Sequence, residues 1–587
     1  MKNFFPALLG SCLGIFLALV IGILILMGIG FSGMTGKNKL TENTILKVKL
    51  DESIPEKTGN IAVGTPLIDD MPNGLGLNTI KKLISHAASD NKIKGILIET
   101  SDVGIGQAGI LSLRTAIEEF KKSGKFVYAY SDIYGQSAYF LGSVSDSVFI
   151  NPNGMVDMRG YGTMIPYMKN MLDKIGVSMN VFYAGNFKSA TEPYRFTEMS
   201  DYNKIQTRAF LDDMKDILVT EIARNRKLTY EEVNKAISDF AGRSAKSALS
   251  SKLVDGIMYK DEFEQFLKHK VGIDSTKKLK VVELSGYQSQ AKISESEGTD
   301  KIAIVHAEGE IVYGTSENGQ IGEKKYLSTL EKIKNDKKIK AVVLRVNSPG
   351  GSSITSDQIW RAIENIKASG KPVVASFGDY AASGGYYIAA GTDYIVSQPN
   401  TLTGSIGAFM MFPDASKLMK EKIGINFDTL KTHPFAASFT PFNTLTEAEK
   451  NLLQESTLDI YNTFVERVAN GRKLSIDSTK EIAQGRVWTG RKAKEIGLVD
   501  EIGDIDVAIA KAASLAKTDS YKTVEYPIIE DDFMTTLFKE IKKSEEDKNT
   551  KILTSEETKL FQQYKEIRNL LKINEPVVRL PYLFIWN

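Results

Sequence analysis

The feature that most constrains this chain is an internal repeat. Lys92-Ile93-Lys94-Gly95-Ile96-Leu97-Ile98-Glu99 is answered downstream by Lys338-Ile339-Lys340-Ala341-Val342-Val343-Leu344-Arg345. Ser123-Gly124-Lys125 is answered by Ser369-Gly370-Lys371, Asn151-Pro152-Asn153 by Gln398-Pro399-Asn400, and Lys174-Ile175-Gly176-Val177 by Lys422-Ile423-Gly424-Ile425. The offset stays between 246 and 248 residues from the first landmark to the last. Chance similarity does not hold so steady a register, so the chain reads as a tandem duplication.

Each copy alternates short apolar runs with amphipathic stretches. In the second copy Ala341–Leu344 is followed by the helical pattern Ser356 to Ala368, and then by the apolar run Pro372–Ser376. Such alternation predicts βαβ units and a largely parallel α/β sheet in each copy. The expected boundaries are 37–295 for the first copy and 296–530 for the second, with 1–36 ahead of them and 531–587 as linker and tail. The charged stretch Lys542–Lys551 reads as a solvated linker. The closing segment Pro581–Asn587 is apolar but too short to span a bilayer, so it is expected to pack on the body.

The amino terminus carries 25 uncharged residues from Ala7 to Phe31. At ~1.5 Å per residue such a helix crosses a ~30 Å hydrocarbon layer. The run is longer than the ~7–15-residue apolar region of a cleaved leader, and no small-x-small site follows it, so one uncleaved transmembrane helix is expected. Lys2 and the terminal amine precede the span, while Lys37 and Lys39 follow it, so positive charge does not set its orientation.

Composition removes several functions. Lysine plus arginine number 74 against 72 acidic residues, a formal charge of +2 that argues against nucleic acid as a partner. The single cysteine, Cys12, excludes an intramolecular disulfide and a cysteine-built metal site.

The chemistry gathers in two glycine-bearing loops of the second copy, each at the end of an apolar run. One is Arg345-Val346-Asn347-Ser348-Pro349-Gly350-Gly351-Ser352 and the other is Asp379-Tyr380-Ala381-Ala382-Ser383-Gly384-Gly385-Tyr386-Tyr387. Glycine pairs also make plain tight turns. A serine at a strand-to-helix turn, however, exposes its hydroxyl, and the amide of Gly384 then points where an oxyanion would form. A nucleophilic serine needs a base. Of the four histidines, His86 and His269 fall in expected surface helices, His306 follows the expected strand Ala303–Val305, and His433 has no orienting carboxylate nearby, so a Ser-His-Asp triad is poorly supported. The repeat offers another partner. Ser383 falls opposite Gln136, and Lys188, in Gly185-Asn186-Phe187-Lys188-Ser189, falls opposite Ala436, so each copy holds half of a pair. A lysine serves as a base only when neutral, which burial can achieve, although a solvated surface lysine is the commoner case.

Together Gly185–Pro193, Val346–Ser352, Tyr380–Tyr387 and Leu402–Gly407 resemble the long form of the signal peptide peptidase A (protease IV) family, membrane-anchored serine peptidases. The resemblance runs from about residue 40 to about residue 520. It implies a duplicated ClpP/crotonase-like fold behind one N-terminal transmembrane helix. It further implies a Ser–Lys dyad, with Ser383 as nucleophile and Lys188 as general base, Ser405 bonded to the lysine, and the amides of Gly350 and Gly384 as the oxyanion hole. No metal or other cofactor is implied. The expected substrates are apolar peptides such as cleaved signal peptides. The expected setting is a homotetramer on the bacterial inner membrane, its body facing the periplasm. Two rivals remain open at this point: a crotonase-like acyl-CoA hydratase or isomerase, and an inactive membrane scaffold of the same fold.

Overall fold

The computed structural model of the chain describes residues 40–58, 74–291, 298–316, 319–528 and the short strand 577–579. The expected membrane helix over 7–31 and the linker at 542–551 lie outside them. Among the described residues no helix is long and apolar enough to cross a membrane.

The first copy contributes β1 (Thr44–Val48), β2 (Ile93–Ile98), β3 (Phe126–Gly135), β4 (Ser147–Asp157), β5 (Ser178–Ala184), β6 (Gly256–Ile257) and β7 (Val281–Glu283). The second contributes β8 (Asp300–Glu308), β9 (Glu310–Val312), β10 (Gln320–Gly322), β11 (Ile339–Ser348), β12 (Gly350–Ser352) and β13 (Val373–Ala382). It continues with β14 (Tyr394–Ser397), β15 (Leu402–Gly404), β16 (Ala408–Asp414), β17 (Val487–Thr489), β18 (Glu501–Ile502) and β19 (Tyr521–Tyr526), and the tail adds β20 (Val577–Arg579).

Both copies build one strand order. The first sheet runs β6-β4-β3-β2-β1-β7, all parallel. The second repeats it as β18-β14-β13-β11-β8-β19, again all parallel, and adds β15 and β17 for eight strands. Parallel strands covered on both faces read as continuous apolar runs, because neither face meets water. In β11, Val342, Leu344 and Val346 pack with Ile359, Ile363 and Ile366 of the helix Ser353–Ala368. On the opposite face Ala341 and Val343 pack with Ile505, Ala508, Ile509 and Ala512 of the helix Ile505–Ala516. The duplication extends to helix ends. Asp201–Arg226 and Glu447–Arg472 are both 26 residues long, capped by the hydroxyls of Ser200 and Thr446 and closed by left-handed Lys227 and Lys473.

Where the copies diverge, they interlock. A third, mixed sheet runs β10-β9-β12-β20-β16-β5. In it β5 of the first copy pairs antiparallel with β16 of the second over seven positions, from Ala184↔Ala408 to Ser178↔Asp414. The stretch of the second copy that corresponds to β5 (426–432) is not a strand, and neither is the stretch of the first that corresponds to β16 (160–166). Each copy has kept the strand that the other lost.

Polar contacts tie the copies together elsewhere. Arg345 on β11 donates from Nε and Nη2 to the Glu56 carboxylate at 3.0 and 2.9 Å, with both side chains almost wholly buried. Asp379 on β13 accepts the amides of Ala108 (2.8 Å) and Gly109 (3.3 Å) at the start of the helix Gln107–Lys121.

Candidate active site

Ser383 sits where β13 turns into the helix Gly384–Ala389. Its φ is +56° and ψ −118°, a conformation costly for a residue with a Cβ and held here by surrounding bonds. Its amide donates to Gly404 O at the end of β15 (2.8 Å), and its carbonyl accepts the Tyr387 amide (2.8 Å). Ser405, next to Gly404, is also left-handed at φ +49° and donates its amide to Arg486 O (2.7 Å). Two strained serines are thus presented side by side from the ends of adjacent strands.

Lys188 arrives from the first copy, in the loop that follows β5. The β5–β16 pairing carries that loop to the foot of β16, close to Ser405. Lys188 Nζ lies within hydrogen-bond distance of Ser383 Oγ at 2.7 Å and of both Ser405 O and Ser405 Oγ at 3.0 Å. Lys188 is 1 % exposed, and Ser383 and Ser405 are 0 % exposed. The bonded oxygens belong to serines, with no carboxylate to stabilise an ammonium. Burial therefore drives the amine well below the ordinary lysine value of 10.5. A neutral amine 2.7 Å from a hydroxyl can take its proton.

The lysine is positioned by residues that the sequence did not flag. Gln206, fully buried in the helix Asp201–Arg226, donates from Nε2 to Phe187 O (2.9 Å) and Ser189 Oγ (2.8 Å) and accepts the Val487 amide (3.1 Å) on Oε1. Phe187 N donates to Gln484 O at 2.9 Å. Gly485, at φ +73°, lies against Lys188 so closely that a Cβ there would stand 2.6 Å from Lys188 Cβ. No motif marks Gln206 or Gly485, because their roles arise only from tertiary contacts, within the first copy and between the copies.

The first glycine loop lies beside the second. A Cβ on Gly385 would meet Ser348 O at 2.6 Å, so Ser348 abuts the turn that carries Ser383. Gly350 (φ +104°) donates its amide to Ser348 Oγ at 3.2 Å. The histidines stand apart from this cluster in their bonding. His433 is exposed and bonded to Thr432, and buried His306 lies 3.5 Å from Glu525.

The profile of peptidase family S49 matches residues 119–274 and 365–519, one match in each copy. Protease 4 of Haemophilus influenzae is 32% identical over 535 residues, covering 88% of this chain and 86% of that protein. The chain belongs to peptidase family S49. It is a serine-type peptidase, which sets aside the acyl-CoA and scaffold readings. The chloroplastic serine protease SPPA of Arabidopsis thaliana is 31% identical over 459 residues, 77% of this chain and 67% of that one. A putative signal peptide peptidase SppA of Enterococcus faecium is 34% identical over 243 residues, 40% of this chain and 70% of that one.

Proposed function

We propose that this S49 peptidase works by a Ser–Lys dyad shared between its two copies, with Ser383 as nucleophile and Lys188 as general base. The observation that carries the reading is the 2.7 Å bond from a buried amine, lacking any acidic partner among its bonds, to a strained serine hydroxyl. Neutral Lys188 takes the Ser383 proton as Oγ adds to a peptide carbonyl. The resulting oxyanion lies on the amides of Gly350 and Gly384, each such donor being worth roughly 2.7–4 kcal/mol in other serine hydrolases. For this the Gly350 amide must leave Ser348 Oγ. Protonated Lys188 then donates to the departing amine, leaving an acyl-enzyme on Ser383. Lys188, neutral again, activates the water that releases the acyl group. Ser405, through Oγ and its carbonyl, holds the amine on line throughout.

The name of the Enterococcus relative supports cleaved signal peptides as the natural substrate class. The uncharged run 7–31 supports a single membrane anchor, and the family resemblance supports a bacterial inner membrane with both ClpP/crotonase-like copies, bounded near 37–295 and 296–530, on its periplasmic side. Exposed Ile423, Ile425, Phe427 and Leu430 support a self-associating surface, and the family resemblance supports a homotetramer as the assembly.

The test pairs Ser383→Ala with Lys188→Met. Each should lower turnover of an apolar peptide by about a thousandfold or more and keep a cooperative melt. Ser383→Ala should also lose labelling by a fluorophosphonate. Normal turnover by either folded variant overturns the dyad.

A further inference from the structure

The first glycine loop holds a buried hydroxyl that accepts a bond and donates none. Ser348, the last residue of β11, is fully buried, and its Oγ accepts the Gly350 amide at 3.2 Å. Among the described residues its own hydroxyl hydrogen has no acceptor. A buried O–H without a partner is costly, and folded proteins keep few of them. Placed beside a nucleophile, such a group is a donor held ready for charge that appears only during the reaction.

The strands fix where that hydroxyl stands. In the β11–β13 register Val346 faces Phe377 and Ser348 faces Ala381, so residues 378–380 of β13 bulge out between them. Asn347 fills the bulge by accepting the Tyr380 amide on Oδ1 at 3.1 Å. Ser348, just past it, abuts the turn of the nucleophile. A Cβ on Gly385 would stand 2.6 Å from Ser348 O and 3.2 Å from Ser348 Cβ. Pro349 follows with no amide hydrogen, so Gly350 is the first amide beyond Ser348 able to donate. The 3.2 Å between that nitrogen and Ser348 Oγ is one side of a triangle. An oxygen at ordinary distances, about 2.9 Å from the nitrogen and about 2.7 Å from the hydroxyl, completes it.

We propose that the Ser348 hydroxyl is a third donor to the oxyanion, acting with the amides of Gly350 and Gly384. This rests on Ser383 as nucleophile and on those two amides. As Ser383 Oγ bonds to the carbonyl carbon, its proton passes to Lys188 and the carbonyl π pair moves onto oxygen. The Gly350 amide leaves Ser348 Oγ for that oxygen. The freed hydroxyl turns its hydrogen to the same atom and keeps its proton throughout. When the adduct collapses, the electron pair returns to the carbonyl, the amine departs with the proton from Lys188, and Ser348 Oγ takes back the Gly350 amide. The new bond is strong only while the oxygen carries charge, so it raises kcat and leaves KM nearly as it was.

The test is Ser348→Ala in the full chain, which deletes the hydroxyl and frees the Gly350 amide at once. If Ser348 only latched that amide, turnover would rise; if it is a donor, turnover falls. For an apolar peptidyl-aminocoumarin, kcat should fall about a hundredfold with KM within about threefold of wild type. The inhibition constant of a peptidyl trifluoromethyl ketone, whose adduct with Ser383 carries the oxyanion, should rise about as much as kcat falls. In a Ser383→Ala background, a fluorescein-labelled apolar peptide should bind equally well with and without Ser348→Ala. Unchanged or faster turnover in Ser348→Ala overturns the donor role while an inactive Ser383→Ala upholds the dyad. Peptide binding that weakens as much as the rate falls marks a structural role and also overturns it. Turnover by Ser383→Ala itself overturns the dyad, and this proposal with it.

Discussion

Gly485→Ala should disable hydrolysis without touching a reacting group. The new Cβ would lie 2.6 Å from Lys188 Cβ and 2.8 Å from both Lys188 Cα and Lys188 N. Two of these are backbone atoms, so side-chain rotation cannot relieve the overlap. Restoring ordinary contact at 3.4 Å requires Lys188 to retreat by about 0.6–0.8 Å. That shift stretches a bond now 2.7 Å long, and misplacements near 1 Å can cost about a hundredfold in rate. The left-handed backbone at φ +73° adds about 1 kcal/mol of folding cost. The expected result is a fall of about a hundredfold in kcat/KM with a melting temperature only a few degrees lower. Gly424→Ala is the control. It has φ +83° but nothing within 4 Å of the new Cβ, so it should show the same small thermal shift and full activity. Activity within about threefold of wild type in Gly485→Ala, or equal losses in both variants, would refute the claim that this glycine clamps the lysine.

Gln206→Leu removes the side chain that Phe187 O, Ser189 Oγ and Val487 N now share, and the buried Val487 amide left unsatisfied costs roughly 1–3 kcal/mol. Its kcat should fall about tenfold or more with KM little changed, measured by steady-state kinetics; a destabilised enzyme with unchanged kcat would contradict the positioning role. Asp379 has its carboxyl pushed up to about 6, first by burial and then by the Glu56 charge, from an ordinary 3.8. Between these values the folded protein holds the extra proton, so this group's contribution to stability falls as pH rises from about 4 to about 6. Asp379→Asn should gain on wild type over that window, by something on the order of 3 kcal/mol in denaturant titrations, and the difference should be flat outside it. A constant difference across the window would refute the assignment.

Some of this was legible in the sequence, for identifiable reasons. The duplication and the parallel sheets were, because buried parallel strands leave continuous apolar runs such as Ala341–Leu344 at a fixed offset. Ser383 and Lys188 were singled out because each stands in a local motif that its counterpart copy lacks. Their meeting depends on the β5–β16 pairing, a register between segments more than two hundred residues apart that no local pattern encodes. Gln206 and Gly485 were missed for the same reason: their partners are tertiary. β20 was missed because Val577-Val578-Arg579 between two prolines is too short to show a period.

The central claim is that the catalytic amine is uncharged at rest, and the most direct measurement is its titration. Lysine side chains labelled with a stable isotope can be followed by NMR across a pH series, with the signal missing from Lys188→Met identifying the one that matters. The account predicts that this signal titrates well below the ordinary 10.5 and that peptide hydrolysis rises with pH through the same transition. A Lys188 signal that titrates at the ordinary value would contradict it.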